Sequence, residues 1–358
     1  MSDPERPRLG ARTLVVGAAF VVVLAGLKAA QTLIIPFLLA LLLAIICTPA
    51  VSWLEKRRVP VALAVILVVV VLVGLFSVFG AILGGSVNEF AAFAAENQAR
   101  FDGLVKSASA WFEARDIDPE SLDLLNMLQP GRLINMLGGV LKNLAAVLSN
   151  FFLILLTMIF MLFEAASLPI KVRAAVGPGR FDIENMRHAI VQVQRYLGLK
   201  TLTSLATGLL VGLWTAILGL EFAVVWGLLA FLLNYIPSIG SIVAAIPAVL
   251  LGLIQGGLGY AILVAVGYVV INVGIGNFVE PWLMGRTLGL STLVVFLSLV
   301  FWGWMWGGVG MLLSVPLTMI MKIFLENTDD LQWVAVMLDN KRCAEKRLEE
   351  AEGAAASP

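Results

Sequence analysis

Apolar residues fall along this chain in long runs separated by short polar punctuation, and the run lengths predict the architecture. Six runs, from Thr13 to about Lys28, Thr32 to Trp53, Val61 to Gly84, Leu144 to Phe163, Thr201 to Leu220 and Leu258 to Phe278, have about the ~20 residues that a bilayer core requires. Two others do not fit. Phe222 to Ile254 is 33 residues long and Ser291 to Phe324 is 34. A straight helix of that length would measure about 50 Å at ~1.5 Å per residue, against a hydrocarbon core of ~30 Å. Each is too long for one crossing and too short for two. The first is interrupted by Asn234-Tyr235-Ile236-Pro237-Ser238-Ile239-Gly240-Ser241, where Pro237 lacks the amide donor a helix interior needs. The second is interrupted by Gly303, Gly307, Gly308 and Gly310. Both patterns predict re-entrant hairpins, 222–254 and 291–324, and broken backbone at membrane depth is tolerated only where protein or a water-filled cavity encloses it.

The two long stretches repeat one another. Shifted by 70 residues, Leu218–Gly240 aligns with Leu288–Gly310 without a gap and with eight of 23 positions identical, from the opening Leu-Gly-Leu to the closing glycine. One full crossing, Leu258 to Phe278, separates the copies, so they enter the membrane from opposite sides. That is the layout of inverted-repeat secondary transporters. The expected fold is an all-α polytopic membrane protein with six full crossings plus two opposed re-entrant helical hairpins forming an inverted repeat, eight hydrophobic segments in all.

Charge orients the segments. Arg6, Arg8 and Arg12 precede the first run and Glu55-Lys56-Arg57-Arg58 follows the second, which puts residues 1–12 and that basic corner on the cytoplasmic side. A cleaved signal ending at Ala29-Ala30 is the competing reading; Lys28 and the immediate second run favour an uncleaved span. Residues 13–84 thus form three crossings. The segment 85–143 has no long apolar run, and its net acidic stretch from Ser86 to Lys142 holds eight acidic against five basic residues. It is expected outside the membrane on the outer side, as a lid, an oligomer contact or a helix lying on the bilayer surface. Residues 144–168 return inward, and 169–200 is basic and cytoplasmic. Residues 201–325 form a transport core of two helix-plus-hairpin units. The tail 326–358 is charged and cytoplasmic, with Leu331, Val334 and Leu338 at helical spacing for docking on a neighbour.

Composition agrees with this class and excludes others. The chain is 60% hydrophobic and 13% charged, about half the ~25% charge of soluble domains. A formal net charge of zero argues against nucleic acid, which selects a basic face. No cluster of His, Cys and Asp has metal-ligand spacing, the two cysteines imply no disulfide, and there is no phosphate-binding loop. No cofactor is expected. His188 is the lone histidine and sits among charges, so no buried Ser/His pair can form and an enzyme is disfavoured.

The candidate chemistry lies at the breaks. Asn234, Pro237, Ser238, Gly240 and Ser241 surround the first, where amide, hydroxyl and freed backbone groups form a polar pocket for a small solute or simply satisfy the broken backbone. Asn272 and Asn277 line that pocket or bond between helices. Trp302, Trp304 and Trp306, with Gly307 and Gly310, form the second tip and offer either an interfacial belt or a stacking surface for a cyclic ligand. Glu280, before Pro281, is a carboxylate for ion or proton coupling, or a cap on loop amides; ionisable groups at membrane depth are costly and usually functional.

These strings carry a family resemblance. NYIPSIGSIVAAIPAVLLGL, FVEPWLMGRTLGLSTLVVFLSLVFWGWMWGGVGMLLSVPLT and PFLLALLLAIICTPAVSWLEKRRVP resemble the core and opening segments of the autoinducer-2 exporter family. The resemblance implies a bacterial inner-membrane transporter, homopentameric, moving substrate by an elevator-like motion between two opposed hairpins. It implies a small polar solute such as autoinducer-2, a sugar-derived cyclic polyol, or, as in other members, sodium(lithium)/proton exchange. By position the family's tips fall on Asn234–Ser241 and Gly303–Gly310, and its acidic corner on Glu280-Pro281.

Overall fold

A computed structural model of the chain describes residues 9–97, 99–100, 150–165, 183–284, 290–326 and 332–339, with a few single residues between them. Most of the 85–143 segment, and most of the tail, lie outside the described residues. The described ones are helical throughout, apart from turns and one isolated β-bridge. Helices α1 (Leu9–Ala29), α2 (Gln31–Lys56), α3 (Val61–Glu96) and α4 (Phe151–Ala165) come first. Then follow α5 (Ile183–Leu218), α6 (Ala223–Leu233), α7 (Ile239–Val273), a π-helical segment Gly274–Val279, α8 (Glu280–Met284), α9 (Thr292–Glu326) and α10 (Gln332–Leu338).

Among the described residues, five helical stretches are long and apolar enough to cross a membrane: Gln31–Lys56, Val61–Ser86, Ile190–Leu218, Ile239–Leu283 and Thr292–Glu326. Large apolar side chains cover their outward faces, as at Leu67, Leu209, Val269 and Leu293. Water would penalise such a surface heavily; lipid does not. The molecule is a polytopic membrane protein.

Three apolar clusters hold the helices together. One joins α2 (Ala40, Ala44, Cys47), α3 (Ala64, Val65) and α4 (Ile154, Met158). A second joins α6 (Trp226, Leu229) to α7 (Ala244, Leu251) and to Val211 of α5. The third joins α9 (Leu313, Val315, Met319) to Leu42 of α2 and to Val193, Tyr196 and Leu197 of α5. Helix α5 therefore touches both the second and the third cluster. It is 36 residues long and begins well before Thr201, so the basic stretch ahead of the fifth crossing continues into it as helix. Its packing against α6 is close because neither side carries a Cβ: one built at Gly208 would lie 2.7 Å from the Gly227 carbonyl oxygen, and one at Gly227 would lie 3.1 Å from the Gly212 Cα.

Two helices are broken inside. α7 turns at Gly257 (φ 75°, ψ −169°) and α9 at Trp306–Gly307 (Gly307 φ 63°, ψ −142°). These conformations lie outside the helical region, and the positive φ suits glycine. Contacts join residues on the two sides of each long stretch. The Glu221 amide nitrogen lies 3.4 Å from Gln255 Oε1, so the start of α6 and the end of the first part of α7 are neighbours. For α9, Trp302 Nε1 donates to Thr318 Oγ1 at 3.1 Å, which joins the two arms across the break. At the other end, Leu290 bridges Asp339, the Ser291 amide donates to the Leu338 carbonyl, and Lys322 pairs with Asp339. Helix α10 thus docks on the mouth of its own second stretch, with Ala335 fully buried. Phe93 of α3 meets Phe222 edge-on at 6.2 Å, so part of the segment expected to be extramembrane packs against the start of α6.

Candidate functional site

The first break is a short turn, residues 234–238, between α6 and α7. Its geometry is unusual. Ser238 has φ 61° and ψ −47°, and the Ile239 amide donates to the Pro237 carbonyl at 2.6 Å. An i→i+2 bond with those angles is a γ-turn of the rare, strained hand. Gly240 closes the turn against α6; a Cβ there would collide with the Leu233 carbonyl. The second break repeats this closure: a Cβ at Gly310 would collide with the Trp302 carbonyl. The two glycines are the matched ends of the sequence repeat.

Around the first turn the polar groups face α5. Asn234 Nδ2 donates to Ser204 Oγ at 3.0 Å, and the Tyr235 hydroxyl donates to Thr201 Oγ1 at 2.8 Å. One turn below Ser204, Lys200 Nζ donates to both Glu280 oxygens at 2.9 and 3.0 Å. The Lys200 side chain is 6% exposed and that of Glu280 20%. Tyr196, also buried, lies within electrostatic reach of Glu280 and Tyr235. Asn234, Tyr235, Lys200, Thr201, Ser204 and Glu280 thus form one polar cluster where apolar cores surround the helices. Glu280 arrives there at the end of the π-helical segment 274–279, a wide-turn form that recurs at functional sites.

The other sequence candidates are placed differently. Pro237 is half-buried in the turn and supplies its carbonyl. Ser238 is exposed, and Ser241 Oγ contacts the Ser238 carbonyl at 3.4 Å. Asn272 donates to the Tyr268 carbonyl of its own helix at 2.8 Å, the local bond of an intrahelical side chain. Asn277 is exposed within the π-helical segment. At the second tip, Trp302 and Trp306 stack at 5.0 Å with a 28° tilt. Trp306 is buried and its Nε1 reaches the Leu27 carbonyl at 3.5 Å. Trp304 is exposed, with Lys28 Nζ 4.1 Å from its ring centroid. The tryptophans are held by Thr318 and by the end of α1, not by the residues that hold Asn234. Gly307 lies exposed at the tip and Gly310 is buried beneath it.

Sequence reasoning missed Lys200, Thr201 and Ser204. A signal was present: Lys200, Thr203, Ser204 and Thr207, all buried, follow the i, i+3, i+4, i+7 spacing of one helix face. Assigning residues up to Lys200 to a cytoplasmic segment hid that stripe. Chemically the cluster offers hydroxyl and amide hydrogen bonds and one charge pair, which suits holding a polar solute more than making or breaking bonds.

The sequence profile of the AI-2E family transporters matches residues 18–330 of this chain. The chain belongs to that family. It is 41% identical over 340 residues to "AI-2 transport protein TqsA" of Escherichia coli strain K12, covering 95% of this chain and 99% of the relative. It is 40% identical over 339 residues to a "Putative transport protein" of Haemophilus influenzae (91% and 96% covered). With "Putative transport protein YhhT" of Escherichia coli strain K12 it shares 37% over 340 residues (94% and 97%). As an AI-2E family transporter the chain is not an enzyme, and the matched region contains every residue of the polar cluster.

Proposed function

We propose that this chain is a secondary transporter of the bacterial inner membrane that exports a small polar organic molecule. AI-2, the solute in the name of the Escherichia coli relative, is the first candidate. In this reading α6 with the first part of α7, and the two arms of α9, are re-entrant hairpins that enter from opposite faces, with both termini cytoplasmic. The solute binds at the 234–238 turn, where Asn234, Ser204 and Thr201 meet its hydroxyls together with the carbonyls of the broken backbone. The observation that carries the reading is the paired contact of that turn with α5, Asn234 to Ser204 and Tyr235 to Thr201, inside helices otherwise built for lipid. The close backbone approach of Gly208 and Gly227 makes α5 and α6 one body, which is what an elevator-like motion moves. Homopentamers, implied by the family resemblance, supply the fixed scaffold.

Uptake of labelled AI-2 into inverted vesicles tests the function, and Asn234→Ala tests the site. Losing the amide should reduce initial uptake about tenfold, the worth of one hydrogen bond of ~1.4 kcal/mol. Unchanged uptake in Asn234→Ala and Ser238→Ala together would place the solute elsewhere.

The intramembrane Lys200–Glu280 pair favours one second reading, a sodium(lithium)/proton antiporter using Glu280. Sodium pulses on vesicles loaded with a pH dye test it. A proton signal abolished by Glu280→Gln supports it, and no signal in the wild type removes it.

A further inference from the structure

Lys200 was not among the candidate site residues of the sequence, and its position constrains how Glu280 can act. Both side chains lie inside candidate spans, Ile190–Leu218 and Ile239–Leu283. A bare carboxylate there would demand a partner, and Lys200 supplies it with two hydrogen bonds. The cation position of Glu280 is therefore filled by the protein's own ammonium. Lys200 also lies one turn from Ser204, which holds Asn234. A second set of acceptors belongs to the turn that Asn234 opens: the Asn234 amide oxygen and the carbonyls of residues 234–238. Those are the same oxygens that a hydroxylated solute would use.

We propose that Lys200 is a tethered counter-ion that switches between Glu280 and the broken turn, so that a proton on Glu280 and a solute on the turn exclude one another. The proposal rests on the transport reading above. In the paired state, the one the structure holds, Lys200 is engaged with the Glu280 carboxylate, and the oxygens of the turn are left to the solute. When Glu280 takes one proton from water, its charge is lost and the pair weakens. Lys200 keeps its own proton and turns to the oxygens of the turn, where it occupies the solute's place. Breaking a buried pair without a new partner for each ion is strongly unfavourable; the proton and the turn are those partners. Alternate occupancy by proton and solute is the condition for exchanging one for the other. The π-helical segment gives Glu280 room to withdraw, because rewinding it to α-helical register rotates everything that follows. Among the described residues, the titratable groups beside Glu280 are Lys200, which donates to it, and Tyr196 of α5; Tyr235 of the turn lies beside Tyr196.

The test reads the turn itself. Ser238→Cys is introduced after replacing Cys47 and Cys343 by serine, and its rate of labelling by a membrane-impermeant maleimide is measured from the acidic limit of the folded protein up to pH 9. Rates are normalised to the same thiol in unfolded protein at each pH. With Glu280 and Lys200 intact, the rate should change with pH by up to about tenfold per unit, the limit for one proton. Glu280→Gln should hold the rate at its low-pH value throughout, because an amide mimics the protonated acid. The Lys200→Met/Glu280→Gln double variant, which buries no unpaired charge, should be flat as well and guards against misfolding of the single variant. A wild-type pH response persisting in either, or Glu280→Gln fixed at the high-pH rate, would overturn the proposal. The readout needs no solute. If vesicles carry no AI-2 while the labelling switches as described, the solute assignment fails and the tethered counter-ion stands.

Discussion

The side chains that decide this molecule's chemistry are few, and the most consequential were not all legible. Asn234, Ser238 and Glu280 stood out in the sequence because polar groups inside apolar runs are conspicuous. Lys200 did not, since it sits at the end of a basic stretch where a positive charge seemed ordinary. The length of α5 and the contact with Glu280 place it within a candidate span. Stability measures that contact. Lys200→Met leaves a buried carboxylate unpaired and should cost roughly 3–5 kcal/mol. Glu280→Gln leaves the ammonium the oxygens of the turn as acceptors and should cost less, and the double variant should return close to wild type. Melting in detergent ranks the three; equal losses in all would show that packing rather than charge is at stake. At the turn, Ser238 is held at positive φ. Ser238→Gly should relieve that strain and raise stability by about 1 kcal/mol, read as an upward shift in the same melt.

At the scale of elements, turn chemistry and helix contacts were legible to different degrees. Pro237 and the glycines marked where the long runs break because a missing donor and a missing Cβ are local properties. Which small residues let helices touch was not, since thirty-three glycines give many pairs at helical spacing. The structure separates them. Gly208 and Gly227 meet backbone to backbone, whereas a Cβ at Gly84 would meet nothing within 4 Å. Gly227→Leu should therefore overpack the α5–α6 contact and cost roughly 1–3 kcal/mol or more, while Gly84→Ala should be neutral. Detergent melting of the pair checks this, and a neutral Gly227→Leu would mean that α6 can move away from α5. Helix α10 belongs here too. Its apolar spacing was readable, but the surface it covers is set by Asp339, Lys322 and Leu290, which are distant in sequence.

For the whole molecule, the count and order of apolar runs carried the class, because lipid imposes its length on every segment that crosses it. The paths of the two over-long runs needed three dimensions. Their length is more than one straight crossing needs, and the contact of Glu221 with Gln255 brings the ends of the first together. The tryptophan tip illustrates the limit of the sequence: its rings suggested a stacking platform for solute, yet Trp302 and Trp306 stack on one another and Trp304 meets Lys28. What such rings touch depends on α1, nearly three hundred residues earlier in the chain by number.

The account rests on the first long stretch entering and leaving the membrane by the same face. Single cysteines at Glu221 and Gln255, in a background lacking Cys47 and Cys343, can be labelled from one side of sealed vesicles at a time. Both positions should react from the periplasmic side and be protected from the cytoplasmic one. Reaction of the two from opposite sides would contradict the fold-back, and the polar turn would no longer be a site at membrane depth.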